Sequence, residues 1–279
     1  MDPAVLRADM VDGLSTGRRG VLEDDTLASA LLAVPRHEFI EETQGAYHDR
    51  SHERLGTRVL APGTVVRLLQ ALELESGCST LIVGAGVGYT AAVAAEIVGA
   101  ENVHAVDISR PVVYEARENL ERAGYGGVLV DCRDGARGLR EYAPFDRVLV
   151  EAAVAEPPET LERQLSSTGR LVVPRGGRPQ RIVAVDHEGA VTEHDTVSLG
   201  PLLVAGEETG AVERNRTARE DTEHARKRQS PVDQQEANEA DEQARDQMAC
   251  ERPHDSKAEV DERDRDGDEA DGVEDLQRL

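Results

Sequence analysis

Three glycines at two-residue spacing, Gly84, Gly86 and Gly88, follow a short apolar run in LIVGAGVGYTAAVAAE, with Ala85 between the first two. Where a buried strand passes into a helix, glycines let the backbone turn sharply and come close to a ligand, and the unbonded amides of the helix start attract an anion. A dinucleotide fingerprint would need its third glycine at position 89, which is Tyr89. The GxGxG spacing is the form common in turns that bind S-adenosylmethionine (SAM), whose anionic group is a carboxylate rather than a pyrophosphate. A glycine-rich turn with no ligand is the competing reading. Asp107 ends the next apolar run, HAVD, 19 residues beyond Gly88, and is followed by Ile108. An acid at the tip of the second strand of a nucleoside-binding sheet accepts hydrogen bonds from both ribose hydroxyls. The alternative is an acid favoured by the dipole of a helix opening at SRPVVYEA. Asp134 and Gly135, in CRDGARG, follow the third apolar run. There Asp134 would meet an adenine amino group, or else form a simple Asp-Gly turn.

No Ser/His/Asp arrangement accompanies these residues, and the scattered histidines and cysteines offer no HxxxH or paired-Cys metal spacing. No metal is therefore expected. His48, His52 and Arg58 lie ahead of the glycine turn, where they would orient a substrate anion or act as solvated surface side chains.

The elements that must position these groups alternate. Continuous Val, Leu and Ile runs predict strands covered on both faces at Thr80–Val83, Asn102–Val106, Gly127–Val130, Arg147–Val150, Arg170–Val173 and Arg181–Val185, with a last strand over Val191–Leu199. Helices are predicted at Thr26–Ala33 behind Asp24 or Asp25, Thr64–Leu74, Tyr89–Val98, Pro111–Ala123 behind Ser109, and Pro158–Leu165. This is an α/β fold with a doubly wound, mostly parallel seven-stranded sheet, closing in an antiparallel hairpin around DHEGA. Arg36–Pro62 has no clear periodicity and reads as a long loop that selects substrate.

The 279 residues allow one or two domains of roughly 100 to 200 residues each. Composition breaks near residue 210: Ala211–Leu279 carries 22 acidic and 12 basic residues and almost no apolar clusters. Residues 1–210 are read as the domain, with a helical and lid region over 1–63, and 211–279 as an acidic, disordered tail or an arm that contacts partners. The net charge of −23 excludes a general affinity for nucleic acid phosphates or anionic membranes. Only Lys227 and Lys257 are lysines, a composition suited to a high-salt cytoplasm that screens self-repulsion. The three cysteines make no disulfide framework, no apolar run approaches a membrane span, and MDPAVLRADM lacks a signal-peptide layout, so the protein is expected to be soluble and cytoplasmic.

Several motifs in order resemble the protein-L-isoaspartate O-methyltransferase family. VPRHEFI at Val34–Ile40 is similar to its VPRxxF, Ala46-Tyr47-His48-Asp49 to its AYxD, and LIVGAGVGYTAA to its VLEIGTGSGYQAA. Arg133-Asp134-Gly135 falls on its GDG, Pro144-Phe145-Asp146 with VLVEAA on its APFDxIxVTAA, and Gln164-Leu165 through LVVPRG on its QLxxGGxLVxPVG. The resemblance runs from about Gly20 to Gln180. It implies a class I SAM-dependent methyltransferase acting on protein or peptide substrates that carry isoaspartyl residues. Carried over by position, Gly84, Gly86, Asp107 and Asp134 would hold SAM, with Ala85, Gly88, Ile108 and Gly135 beside them. Two positions depart from the pattern. Val59-Leu60-Ala61-Pro62 stands where the family reads ISQP, so Leu60 replaces a hydroxyl, and Glu151 replaces the threonine of TAA. Leu60 and Glu151 are thus the positions matching the family's active-site residues, and their change leaves open another methyl acceptor or a SAM-binding protein without turnover.

Overall fold

The computed structural model describes residues 2–16, 20–40 and 45–205. Contacts divide the chain into Met1–Asn215 and Arg216–Leu279, and every described residue lies in the first unit. The acidic tail expected over 211–279 lies outside the described residues.

The chain opens with helix α1 (Pro3–Thr16), within the region expected to be helical but without a predicted helix of its own. Its signals were local: the Asp2 carboxylate accepts from the Ala4 amide at 2.9 Å, Pro3 occupies the first turn, and Met10, Val11 and Leu14 are buried along one face. Helix α2 (Asp25–Ala33) is capped by Asp24, whose side chain accepts from the amides of Thr26 and Leu27 at 2.7 and 3.1 Å.

The stretch expected to be an irregular loop holds short elements. Single 3-10 turns lie at Arg36–Phe39 and Gly45–Tyr47, and β1 (His52–Arg54) pairs with β2 (Thr57–Val59) as an antiparallel hairpin. Three-residue strands are too short to show an alternation that sequence reading can detect. Helix α3 (Pro62–Leu72) starts behind Ala61, which has no capping side chain. Asp49 supplies the cap from the preceding loop, accepting from the Gly63 amide at 2.7 Å. A Cβ at Gly63 would lie 2.9 Å from that carboxylate, so the close approach requires glycine.

The rest is the alternating sheet and its helices: β3 (Thr80–Val83), α4 (Tyr89–Val98), β4 (Val103–Asp107), α5 (Arg110–Arg122), β5 (Leu129–Cys132), β6 (Phe145–Val150), α6 (Glu159–Glu162), β7 (Leu165–Arg175), β8 (Gln180–Asp186) and β9 (Val191–Val197). The order is β5-β4-β3-β6-β7-β8-β9. The first five of these run parallel, β8 runs against β7, and β9 against β8. Seven strands, mostly parallel, with a closing antiparallel hairpin are as expected.

Both faces of the central strands β3, β6 and β7 are covered, which is why they read as unbroken apolar runs, whereas β9 is largely exposed. Leu81 and Val83 of β3, Val148 and Val150 of β6, and Leu171 and Val173 of β7 build one apolar layer. Ile82, Leu149 and Val172, one residue out of phase, build the other with α1 to α5.

Several boundaries differ from expectation, among them those of α3, β6 and β7, and two others are instructive. The helix expected over Pro158–Leu165 is cut to one turn because the buried Gln164 side chain is held by three bonds: Oε1 accepts from the Leu139 amide, and Nε2 donates to the carbonyls of Arg137 and Thr160. Leu165 then enters the sheet opposite Phe145. Strand β5 lies two residues later than expected, its Cys132 reaching the register of Asp107 at the end of β4.

Gly135, just beyond β5, packs onto the centre of the sheet, where a Cβ would come within 2.4 Å of Val83 Cγ1. Gly135→Ala is expected to cost about 1–3 kcal/mol of stability through overpacking. Thermal unfolding checks this, and an unchanged melting temperature would mean that the loop yields freely.

Candidate active site

At the C-terminal end of β3 the chain takes left-handed backbone conformations at all three glycines, with φ of 94°, 51° and 94° at Gly84, Gly86 and Gly88. Only glycine adopts them without strain. The amides of Gly84 and Ala85 both donate to the Val106 carbonyl at 2.9 Å, tying the turn to β4. The three glycines serve different ends. A Cβ on Gly88 would approach Leu120 of α5 to 3.0 Å, and one on Gly84 would touch Glu151 Cβ at 3.4 Å, whereas one on Gly86 would meet nothing within 4 Å. Gly86 therefore faces open space.

Asp107 stands beside that turn. Its carboxylate accepts from the Gly86 amide at 3.1 Å and from the Ser109 amide at 2.9 Å. Burial pushes its pKa up, and the backbone amides of Ser109, Gly86 and Ile108 oppose the shift. Ser109 does precede α5 as expected, but its side chain makes no cap bond. Asp134 follows β5, and both of its oxygens meet backbone amides: Ala136 at 3.0 Å and Ala205 at 3.2 Å.

Glu151 follows β6, its amide donating to the Val83 carbonyl at 2.8 Å. The side chain is largely buried, and its Oε1 is fully buried with no hydrogen-bond partner. Burial raises its pKa from 4.5 to about 8, the Thr90 hydroxyl opposes the shift, and the Asp107 charge adds to it. The glycine turn, Asp107, Asp134 and Glu151 thus come together along the C-terminal edges of the adjacent strands β3, β4, β5 and β6. Successive connections leave from β3 to opposite sides there, the place where open α/β sheets take ligands.

Leu60 is buried in the apolar core beside β2, and its carbonyl accepts from Arg36 Nη2 at 2.6 Å. His48 and Arg58 are exposed, and His52 bonds the Gly45 carbonyl at 3.1 Å through Nε2. The sequence reading assigned no role to Arg36, although it lies in the VPRHEFI motif. Arg36 is fully buried, donates to the carbonyls of Ala46 and Leu60, and stacks its guanidinium 4.4 Å from the ring centre of Tyr89, the first residue of α4. It joins the N-terminal loops to the glycine turn. The described residues contain no group of three or more His, Cys, Asp or Glu able to hold a metal.

Residues 8–200 match the profile of the protein-L-isoaspartate(D-aspartate) O-methyltransferase family. This chain belongs to that family. Members of the protein-L-isoaspartate O-methyltransferase family are SAM-dependent enzymes, and this one is a SAM-dependent O-methyltransferase. Among its relatives, the protein-L-isoaspartate O-methyltransferase of Aeropyrum pernix is 40% identical over 212 residues, covering 72% of this chain and 80% of its own. That of Pyrobaculum arsenaticum is 39% identical over 195 residues, covering 68% and 94%. A solved protein-L-isoaspartate O-methyltransferase superposes with a TM-score of 0.62 at 28% identity, over 76% of this chain and 69% of that one. The Plasmodium falciparum protein in complex with S-adenosyl-L-homocysteine has the same TM-score at 22% identity, over 71% of this chain and 98% of that one, a likeness of fold.

The protonation of Glu151 has a consequence for stability. From about pH 4.5 upward the unfolded chain releases a proton that the folded chain keeps until about pH 8. The wild type should therefore lose stability relative to Glu151→Gln across that window, with the difference constant above it. Thermal unfolding of both proteins across the range checks this, and parallel curves would mean that the carboxyl ionises normally in the fold.

Proposed function

We propose that this protein methylates the side-chain carboxylates of isoaspartyl residues in damaged proteins, with SAM held by the backbone of Gly84, Ala85, Gly86 and Gly88, the carboxylates of Asp107 and Asp134, and the neighbouring Ile108 and Gly135. The single observation that carries the cofactor assignment is the left-handed glycine turn opening α4, with Asp107 bonded to Gly86 at its side. The residues fit the group. Gly86 leaves space that any side chain would fill, and the amides at the start of α4 favour the ligand's carboxylate. Asp107 is a half-buried acceptor suited to ribose hydroxyls, and both it and Asp134 would share oxygens that already accept from backbone amides.

When bound, the sulfonium supplies an electrophilic methyl group and leaves as a neutral thioether. The substrate carboxylate is ionised near neutral pH, so the chain needs no strong general base. Its work is to hold the reactants in line and in contact and to exclude water. Arg36 serves that end indirectly by fixing the loops around Ala46 and Leu60 against Tyr89.

The reading extends to organisation and setting. Residues 1–210 form the catalytic domain, 211–279 an acidic extension, and the excess of acid over base in both supports operation in a salty cytoplasm. No described helix is long and apolar enough to cross a membrane.

Calorimetric titration with SAM, followed by methyl transfer to an isoaspartyl peptide in the same preparation, tests the whole reading. Binding with transfer is expected, and binding without transfer would put the methyl acceptor elsewhere. Gly86→Val meets no steric contact but is strained by the positive φ at that position; with folding verified by circular dichroism, it should lose SAM binding, and unchanged affinity in the folded variant would sink the cofactor assignment. Raising KCl from about 0.1 M to about 2 M should raise the melting temperature by screening like charges, and a fall would contradict the high-salt setting.

A further inference from the structure

One acid in the site is not among the residues assigned to the cofactor. Glu151 lies past the end of β6, across the strand boundary from Gly84, in the crevice where β3 and β6 part. Its Oε1 is sealed from solvent and lacks any hydrogen-bond partner. A buried carboxylate without a cation or several donors is costly, so the group lowers its energy by keeping its proton. The surroundings agree. The β3 side presents the backbone of Gly84, α4 presents the Thr90 hydroxyl, and β4 presents Asp107, the charged group acting on Glu151 among the described residues. No cation is among the groups that act on it. A neutral carboxylic acid is also a hydrogen-bond donor, and a buried donor calls for an acceptor. The other altered position, Leu60, offers an apolar side chain and a carbonyl already bonded to Arg36.

We propose that Glu151 is a catalytic residue: its protonated carboxyl group donates a hydrogen bond to one oxygen of the substrate carboxylate and leaves the other oxygen to attack the methyl carbon. This deepens the isoaspartyl reading and rests on it. In the step, the attacking oxygen forms the new C–O bond as the methyl–sulfur bond breaks. The electron pair goes to sulfur, and Glu151 keeps its proton throughout. A charged Glu151 would repel the substrate anion, so the same side chain selects for substrate below its pKa and against it above. A base at this place would behave in the opposite way, gaining activity as it ionised.

The test is the pH profile of methyl transfer to an isoaspartyl peptide, with peptide binding in the presence of S-adenosylhomocysteine measured by calorimetry in parallel. For the wild type, kcat/KM is expected to fall about tenfold per pH unit above about pH 8, and peptide affinity to weaken alongside it. Glu151→Gln, which keeps a neutral donor, should retain neutral-pH activity reduced several-fold and lose the alkaline decline. Glu151→Ala should lower kcat/KM near pH 7 on the order of 100-fold. All three should still bind S-adenosylhomocysteine, which also reports an intact fold. An alkaline decline shared by the wild type and Glu151→Gln overturns the proposal. So does a wild-type rate that rises through pH 8 while Glu151→Gln is inactive. If the peptide binds and is methylated with no dependence on pH or on Glu151, the proposal alone falls. If S-adenosylhomocysteine binds but the peptide neither binds nor reacts at any pH, the isoaspartyl substrate is wrong and the proposal falls with it.

Discussion

The site depends on one backbone constraint, the passage of the chain from β3 into α4 through three left-handed glycines. That path folds the amides of Gly84 and Ala85 back onto the Val106 carbonyl and turns the Gly86 amide towards Asp107. The positive φ favours glycine at all three positions, and at Gly88 the close approach of Leu120 adds a steric reason. Strand order then determines what surrounds the turn. With β4 on one side of β3 and β6 on the other, Asp107 and Glu151 arrive from opposite flanks.

Around this turn the chain buries charge in two unlike ways. Arg36 is buried as a cation, and its cost is offset by two backbone carbonyls and the face of Tyr89. It links a loop of little intrinsic stability to the start of α4. Glu151 is buried with far less support, and burial resolves the conflict by raising its affinity for a proton. A residue that would repel an anionic substrate when charged is thereby kept as a neutral donor.

The N-terminal region shows how short elements are assembled by tertiary contact. Asp49, in a loop, caps α3 in place of Ala61, and Arg36 holds Ala46 and Leu60 through their carbonyls. Backbone groups that would go unpaired in a bare loop are satisfied by side chains at least 10 residues away in sequence. Leu60 gives its side chain to the apolar core and its carbonyl to this network.

By itself the sequence determined the alternating fold, because strands covered on both faces must be apolar throughout and their helices must be amphipathic. It also made the glycine turn and Asp107 legible, since a GxGxG turn and an acid 19 residues beyond it are local features of two βα units. The capped start of α1, at Asp2-Pro3, is equally local. Only the tertiary structure decided the rest. The β1–β2 hairpin is too short to carry a periodicity, and the truncation of α6 follows from Gln164 bonding to residues 25 and 27 positions away. The protonation of Glu151 was beyond sequence reading for the same reason. A carboxyl's charge is set by what surrounds it, and its surroundings come from β3, β4 and α4, brought together by the order of the sheet.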